Sequence, residues 1–123
     1  METMFERYGG FTQISRVVSS FYDRVLDSPI MAPYFHGVDM KRQIDHQTKF
    51  IAFLMGGPAS YSDEHLRSIH QHMNIAREAL NEMIELMTET LEDFDFTDED
   101  IEAVRKQLLK RARLIVNERQ GGA

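Results

Sequence analysis

The sequence predicts an all-α fold. Apolar residues recur every three or four positions along nearly the whole chain, and no segment alternates with period two for long enough to make a strand. Glycine and proline punctuate the periodic segments. Gly9-Gly10 breaks the chain ahead of a helix whose face carries Ile14, Val17, Val18, Phe21 and Val25, with Tyr22 beside it. Ser28-Pro29 marks a break, and Pro33 with Gly37 places an irregular corner around Tyr34-Phe35. A second helix is expected from about Asp39 to Met55, ended by Gly56-Gly57-Pro58. Its predicted inward stripe reads Gln43, His46, Gln47, Phe50, Phe53 and Leu54, half of it polar. A short helix from about Asp63 to Met73, capped by Ser62, sets Leu66, Ile69, His70 and Met73 on one side. The next carries Leu80, Met83, Ile84, Met87 and Leu91. Thr97 caps the last, with Asp100 as a shorter relative of the capping-box glutamate, and its face reads Ile101, Val104, Leu108, Ala112 and Ile115. The tail from about 118 to 123 is expected to fray.

Composition narrows the chemistry. The 123 residues suit one domain with its own core. The absence of cysteine excludes a disulfide scaffold, a thiolate zinc site, a cysteine nucleophile, thiolate ligation of haem and the c-type haem attachment motif. A net charge of −6, from 20 acidic and 14 basic residues, argues against nucleic acid as the main partner. No apolar run approaches the roughly 18–20 residues that span a bilayer, and the N-terminus lacks the apolar stretch of a secretory signal. A cytoplasmic protein is the expectation. Ten acidic residues and no Lys or Arg lie between Glu82 and Glu102, whereas basic residues dominate from Arg105 to Arg119. That order suits the dipole of the last helix. A docking face for a partner is the other reading. Eight Met and eight Phe suit an irregular apolar pocket and an ordinary core alike.

Five histidines occur, and His70 and His46 matter most. His70 shares its helix face with apolar residues, whereas His65 and His72 fall away from that face. By itself this describes a core histidine with a hydrogen-bond partner. However, three polar residues on one inward stripe need partners or a purpose, and the Gly-Gly-Pro break lets the two helices face each other across a gap. One imidazole could then come from each side, the arrangement that axial ligation of iron in a porphyrin requires. Zinc competes poorly, since no third and fourth ligands are placed. Tyr22, Gln43 and Gln47 could form a hydrogen-bonding cluster over a bound gas. A tyrosine reaching solvent beside two outward glutamines fits the pattern equally well.

The stretches Tyr8-Gly9-Gly10, Phe21-Tyr22-Asp23-Arg24-Val25-Leu26, Ala32-Pro33-Tyr34-Phe35, His46-Gln47, Phe50, Gly56-Gly57-Pro58 and Leu66-Arg67-Ser68-Ile69-His70 resemble the truncated haemoglobins in order and spacing, from about Met4 to Val116. The Gly-Gly pairs and the lack of tryptophan resemble the first group of that family more than the second. The resemblance implies a two-over-two helical sandwich around haem b, with His70 as the proximal iron ligand. It implies Phe35 packed on the haem and Tyr22, Gln43 and Gln47 as the distal hydrogen-bonding residues. It makes Phe50, Leu54, Leu66, Ile69, Met73, Ile75, Leu80, Ile84 and Met87 candidates for the apolar wall. His46 stands where many members carry Lys or Arg and resembles the cyanobacterial members with two histidines on the iron. A solvent-facing residue or a contact to a haem propionate is the alternative for it. Some of those relatives attach haem through a histidine in the last helix. This chain has none after His72, so non-covalent haem is expected.

The function these features imply is binding of dioxygen, nitric oxide and carbon monoxide by a monomer. Nitric oxide dioxygenase activity would require a separate reductase. Electron transfer or redox sensing by six-coordinate haem is the competing class. Peroxide or reactive-nitrogen chemistry is a third, and a helical adaptor without haem is the plainest.

Overall fold

Thr3 starts the first helix. Its side chain accepts from the Glu6 amide and its own amide donates to the Glu6 carboxylate, a capping box that opens α1 (Met4–Arg7). In the computed structural model, residues 2–71 and 73–116 are described, apart from the side chain of Ile69. His72, the side chain of Ile69 and the expected frayed tail lie outside the described residues. After α1 come α2 (Gly10–Asp27), a 3-10 turn (Ala32–Phe35), α3 (Met40–Leu54), α4 (Asp63–His70), α5 (Arg77–Asp93), α6 (Asp98–Lys110) and α7 (Ala112–Ile115). Among the described residues there is no strand.

Helix α2 packs on α3 and α5, and α5 packs on α6, so two helix pairs stack in the two-over-two arrangement. The predicted face of α2 is the buried one: Ile14, Val17, Val18, Phe21, Tyr22 and Val25. Each such apolar side chain contributes roughly 1.5–3 kcal/mol when fully buried, which outweighs the weak helix propensity of its β-branched members. Leu80, Leu91, Val104 and Leu108 fill the other pair. Side-chain caps also set the starts of three further helices: Asp39 accepts from the Arg42 amide, Ser62 from the His65 amide, and Thr97 from the Asp100 amide.

Four expectations change. Helix α1 lies ahead of Gly9-Gly10, before the first helix that the sequence predicts. The short helix ends at His70 rather than near Met73. The last helix is interrupted at Arg111, whose carbonyl-side neighbours regroup as α7 packed against α4. On α3 the buried residues are Thr48, Phe50, Ile51 and Ala52, continued by Met55, so Phe50 of the predicted stripe is buried while its polar members are not core-facing. Gly56-Gly57 also does more than reverse the chain. Gly56 is left-handed (φ 84°), and a Cβ on Gly57 would lie 2.7 Å from the Phe5 ring, so the pair forms the seat of α1.

Asp100 does not close a capping box. Its carboxylate takes both Arg7 guanidinium nitrogens (2.8 and 3.0 Å) and the Tyr8 hydroxyl (2.6 Å), while Tyr8 accepts from the Thr97 amide (3.2 Å). These donors, Arg7 first, hold the Asp100 carboxyl well below the usual carboxylate range. The sign follows by linkage: a carboxylate depressed in the folded state stabilises above its unfolded pKa and loses that contribution as pH falls through the folded value. Asp100→Asn is therefore expected to lower the Tm at neutral pH, with the gap to wild type closing below about pH 4. Thermal melts across acid pH check this, and a gap independent of pH would contradict it.

Candidate functional site

A cavity of about 500 Å3 opens between α2, α3, α4 and α5. That volume lies in the ~300–1,000 Å3 range of small-molecule and cofactor sites. Its wall is mostly apolar. Phe35, Phe50, Leu66, Met73, Ile75, Leu80 and Met87 line it as the sequence proposed. Leu54 and Ile84 do not. Leu54 is half-buried against the core near the end of α3, and Ile84 sits beside Ile101 and Leu109 where α5 meets α6. Val18, Phe21, Met31, Tyr61, His65 and Met83 also line the cavity. By sequence, Val18, Phe21 and Met83 are only helix-face residues, and the helical phase that puts Met83 beside Leu80 and Met87 is the available signal.

On the α4 side, His70 is half-buried and its Nδ1 lies 2.7 Å from the Leu66 carbonyl oxygen one turn earlier. A carbonyl only accepts, so Nδ1 carries the proton and the lone pair is on Nε2. That is the tautomer a metal-ligating histidine needs, oriented by its own helix. Helix α7 packs on α4, with Arg113 3.5 Å from Asp63, and its Ile115 also reaches the cavity wall.

Across the cavity, Tyr22 is 4 % exposed and its Oη accepts a hydrogen bond from Gln43 Nε2 at 3.1 Å. Burial pushes the Tyr22 hydroxyl up to about 12, against the smaller opposing effect of Gln43. The phenol thus keeps its proton at neutral pH, and accepting from Gln43 leaves that proton available to donate. Gln47 is half-buried on the same wall. The polar stripe of α3 therefore faces the cavity, which resolves the alternative of outward-facing glutamines. Phe35 meets Tyr22 edge to face at 5.5 Å. Tyr34 accepts from the Ala76 amide (3.3 Å), tying the Pro33 corner to the start of α5.

His46 also lines the cavity, but it is exposed rather than buried among the stripe. His65, expected to point away, lines the cavity as well. An apolar slot with one helix-oriented imidazole and a protonated phenol across it fits an iron porphyrin in both shape and donor chemistry.

The model of the bacterial-like globin family matches residues 3–117. A group 1 truncated haemoglobin of Tetrahymena pyriformis is 30% identical over 105 residues, spanning 85% of this chain and 87% of that one. The group 1 protein of Synechocystis sp. is 32% identical over 108 residues, 88% of this chain and 79% of its own length. The solved Fe(III) form of the Tetrahymena protein superposes with a TM-score of 0.82 at 28% identity, covering 96% of this chain and all of that one. The two-over-two haemoglobin of Synechococcus sp., in the cyanomet state with covalently attached haem, shares the fold with a TM-score of 0.85 at 21% identity, covering 94% of this chain and 98% of that one. The family match over nearly the whole chain and the helical sandwich around this cavity agree, and the chain belongs to the bacterial-like globins as a truncated haemoglobin, a haem-binding and oxygen-binding protein whose cofactor is haem b.

Proposed function

We propose that this chain is a cytoplasmic monomer that binds dioxygen, carbon monoxide and nitric oxide at non-covalently held haem, with His46 on the iron when no gas is present. Haem supplies the iron at which the gas binds. His70 would hold that iron through Nε2, since its Nδ1–H is committed to the Leu66 carbonyl. Tyr22, steadied by Gln43 and accompanied by Gln47, would donate a hydrogen bond to the gas. The observation that carries this reading is the buried Tyr22 hydroxyl, held by Gln43 in the same cavity as His70 with its proton retained. Non-covalent haem is supported by the sequence, which has no histidine after His72.

His46 is favoured as the internal ligand by its place on the cavity wall, one position before Gln47. Its exposure means that no packing locks the ring, so it can exchange with an incoming gas. Apparent gas affinity would then fall in proportion to the open fraction. Conversion of nitric oxide to nitrate would draw electrons from a separate reductase, because no flavin or nicotinamide motif is visible in this sequence.

Absorption spectra of haem-supplemented wild type and His46→Leu, ferric and then reduced, test the internal ligand. A low-spin six-coordinate wild type that becomes high-spin or five-coordinate in the variant is expected. A wild type already high-spin or water-bound would remove His46 from the iron. A six-coordinate form that resists carbon monoxide would favour electron transfer instead.

A further inference from the structure

We infer that His65, backed by Tyr61, anchors a propionate of the haem at the mouth of the cavity, an inference that rests on the haem-binding reading above. Among the described residues the cavity wall is exposed at four side chains: Val38, His46, His65 and Met73. These mark where it opens to solvent, and two of them are imidazoles. Haem is an apolar disc with two carboxylates at one edge, and burying those among apolar groups is unfavourable unless they are paired. Among the described residues no Lys or Arg lines the cavity to pair them, and no Asp or Glu lines it to repel them. The polar part of the rim can supply hydrogen bonds to a propionate.

His65 is placed for this. It precedes His70 by five positions on α4, about 7.5 Å along the axis and roughly 140° around it, so it meets the cavity at a different edge. Its ring sits against Tyr61, centroids 6.1 Å apart. Tyr61 is itself held edge-on by Phe50 (5.4 Å, 87°), and its hydroxyl donates to the His46 carbonyl at 3.5 Å. The imidazole is therefore positioned before a carboxylate arrives, which lowers the ordering cost of the contact. Among the described residues no hydrogen bond engages the His65 ring. An imidazole carries at least one N–H whether neutral or protonated, so the contact does not depend on its charge.

The test is transfer of haem from the ferric protein to excess apomyoglobin, with native haem and with haem dimethyl ester, whose carboxylates are blocked. His65→Leu should speed loss of native haem about tenfold, the scale of one charge-assisted hydrogen bond. It should match wild type with the dimethyl ester, and His65→Lys should restore slow loss. Equal rates for wild type and His65→Leu with native haem would overturn the proposal. So would equal acceleration with the ester, which would mark a packing role, or an ester-sensitive acceleration in His46→Leu alone. A wild type that forms no Soret complex with native haem would overturn the haem-binding reading as well.

Discussion

Replacing His70 with glycine is expected to remove haem from the protein while leaving its helices in place. The core clusters Ile14, Val17, Leu80, Leu91 and Leu108 sit on α2, α5 and α6, so the helical stack does not depend on a half-buried imidazole on α4. With His70 as the proposed iron ligand, haem retention would depend on it. Outer-shell partners of a metal-ligating histidine alone are worth ~10–100-fold in affinity, so loss of the ligand itself should accelerate haem release by at least about a hundredfold. Free imidazole should restore the Soret band in the variant by occupying the vacated space. Wild type should also show a haem-dependent rise in Tm that the variant lacks, because a ligand that binds only the folded state stabilises it. Unchanged haem retention in His70→Gly, followed by gel filtration and absorbance, would move the proximal ligand elsewhere.

Tyr22→Phe is expected to act on the gas rather than on the haem. Bound dioxygen draws partial negative charge, so the hydrogen bond from Tyr22 approaches the charge-assisted class, about 1.5–3 kcal/mol. Dioxygen dissociation should accelerate roughly tenfold to a hundredfold, while carbon monoxide, which draws far less charge, should change little. Because burial holds the hydroxyl up to about 12, the wild-type dissociation rate should stay flat through neutral and mildly alkaline pH. Stopped-flow replacement of dioxygen by carbon monoxide measures both. Equal acceleration for the two gases would point to a steric effect of the missing hydroxyl.

Much of this arrangement is legible in the residues. The α2 stripe from Ile14 to Val25 and the caps at Ser62 and Thr97 follow from periodicity and local hydrogen-bonding chemistry, both confined to a few neighbouring positions. The polar residues of α3 share one helical face, and that face lines the cavity rather than the core. Thr48, Ile51 and Ala52 are buried beside Phe50, because the helix shows one side to α2 and another to a cavity that sequence spacing alone cannot reveal. The same limit explains His65, Leu54 and Ile84, whose helical phase is clear but whose neighbours are set by how whole helices cross. The seat of Phe5 on Gly57 and the Arg7–Tyr8–Asp100 cluster join residues some fifty and ninety positions apart, which local patterns do not encode.

Equilibrium dioxygen binding by the reduced, haem-loaded protein is the decisive measurement. One haem per chain and a spectrum that changes on adding dioxygen, with full reversal when the gas is removed, are expected. A reduced haem complex whose spectrum answers neither dioxygen nor carbon monoxide would contradict dioxygen binding at the haem.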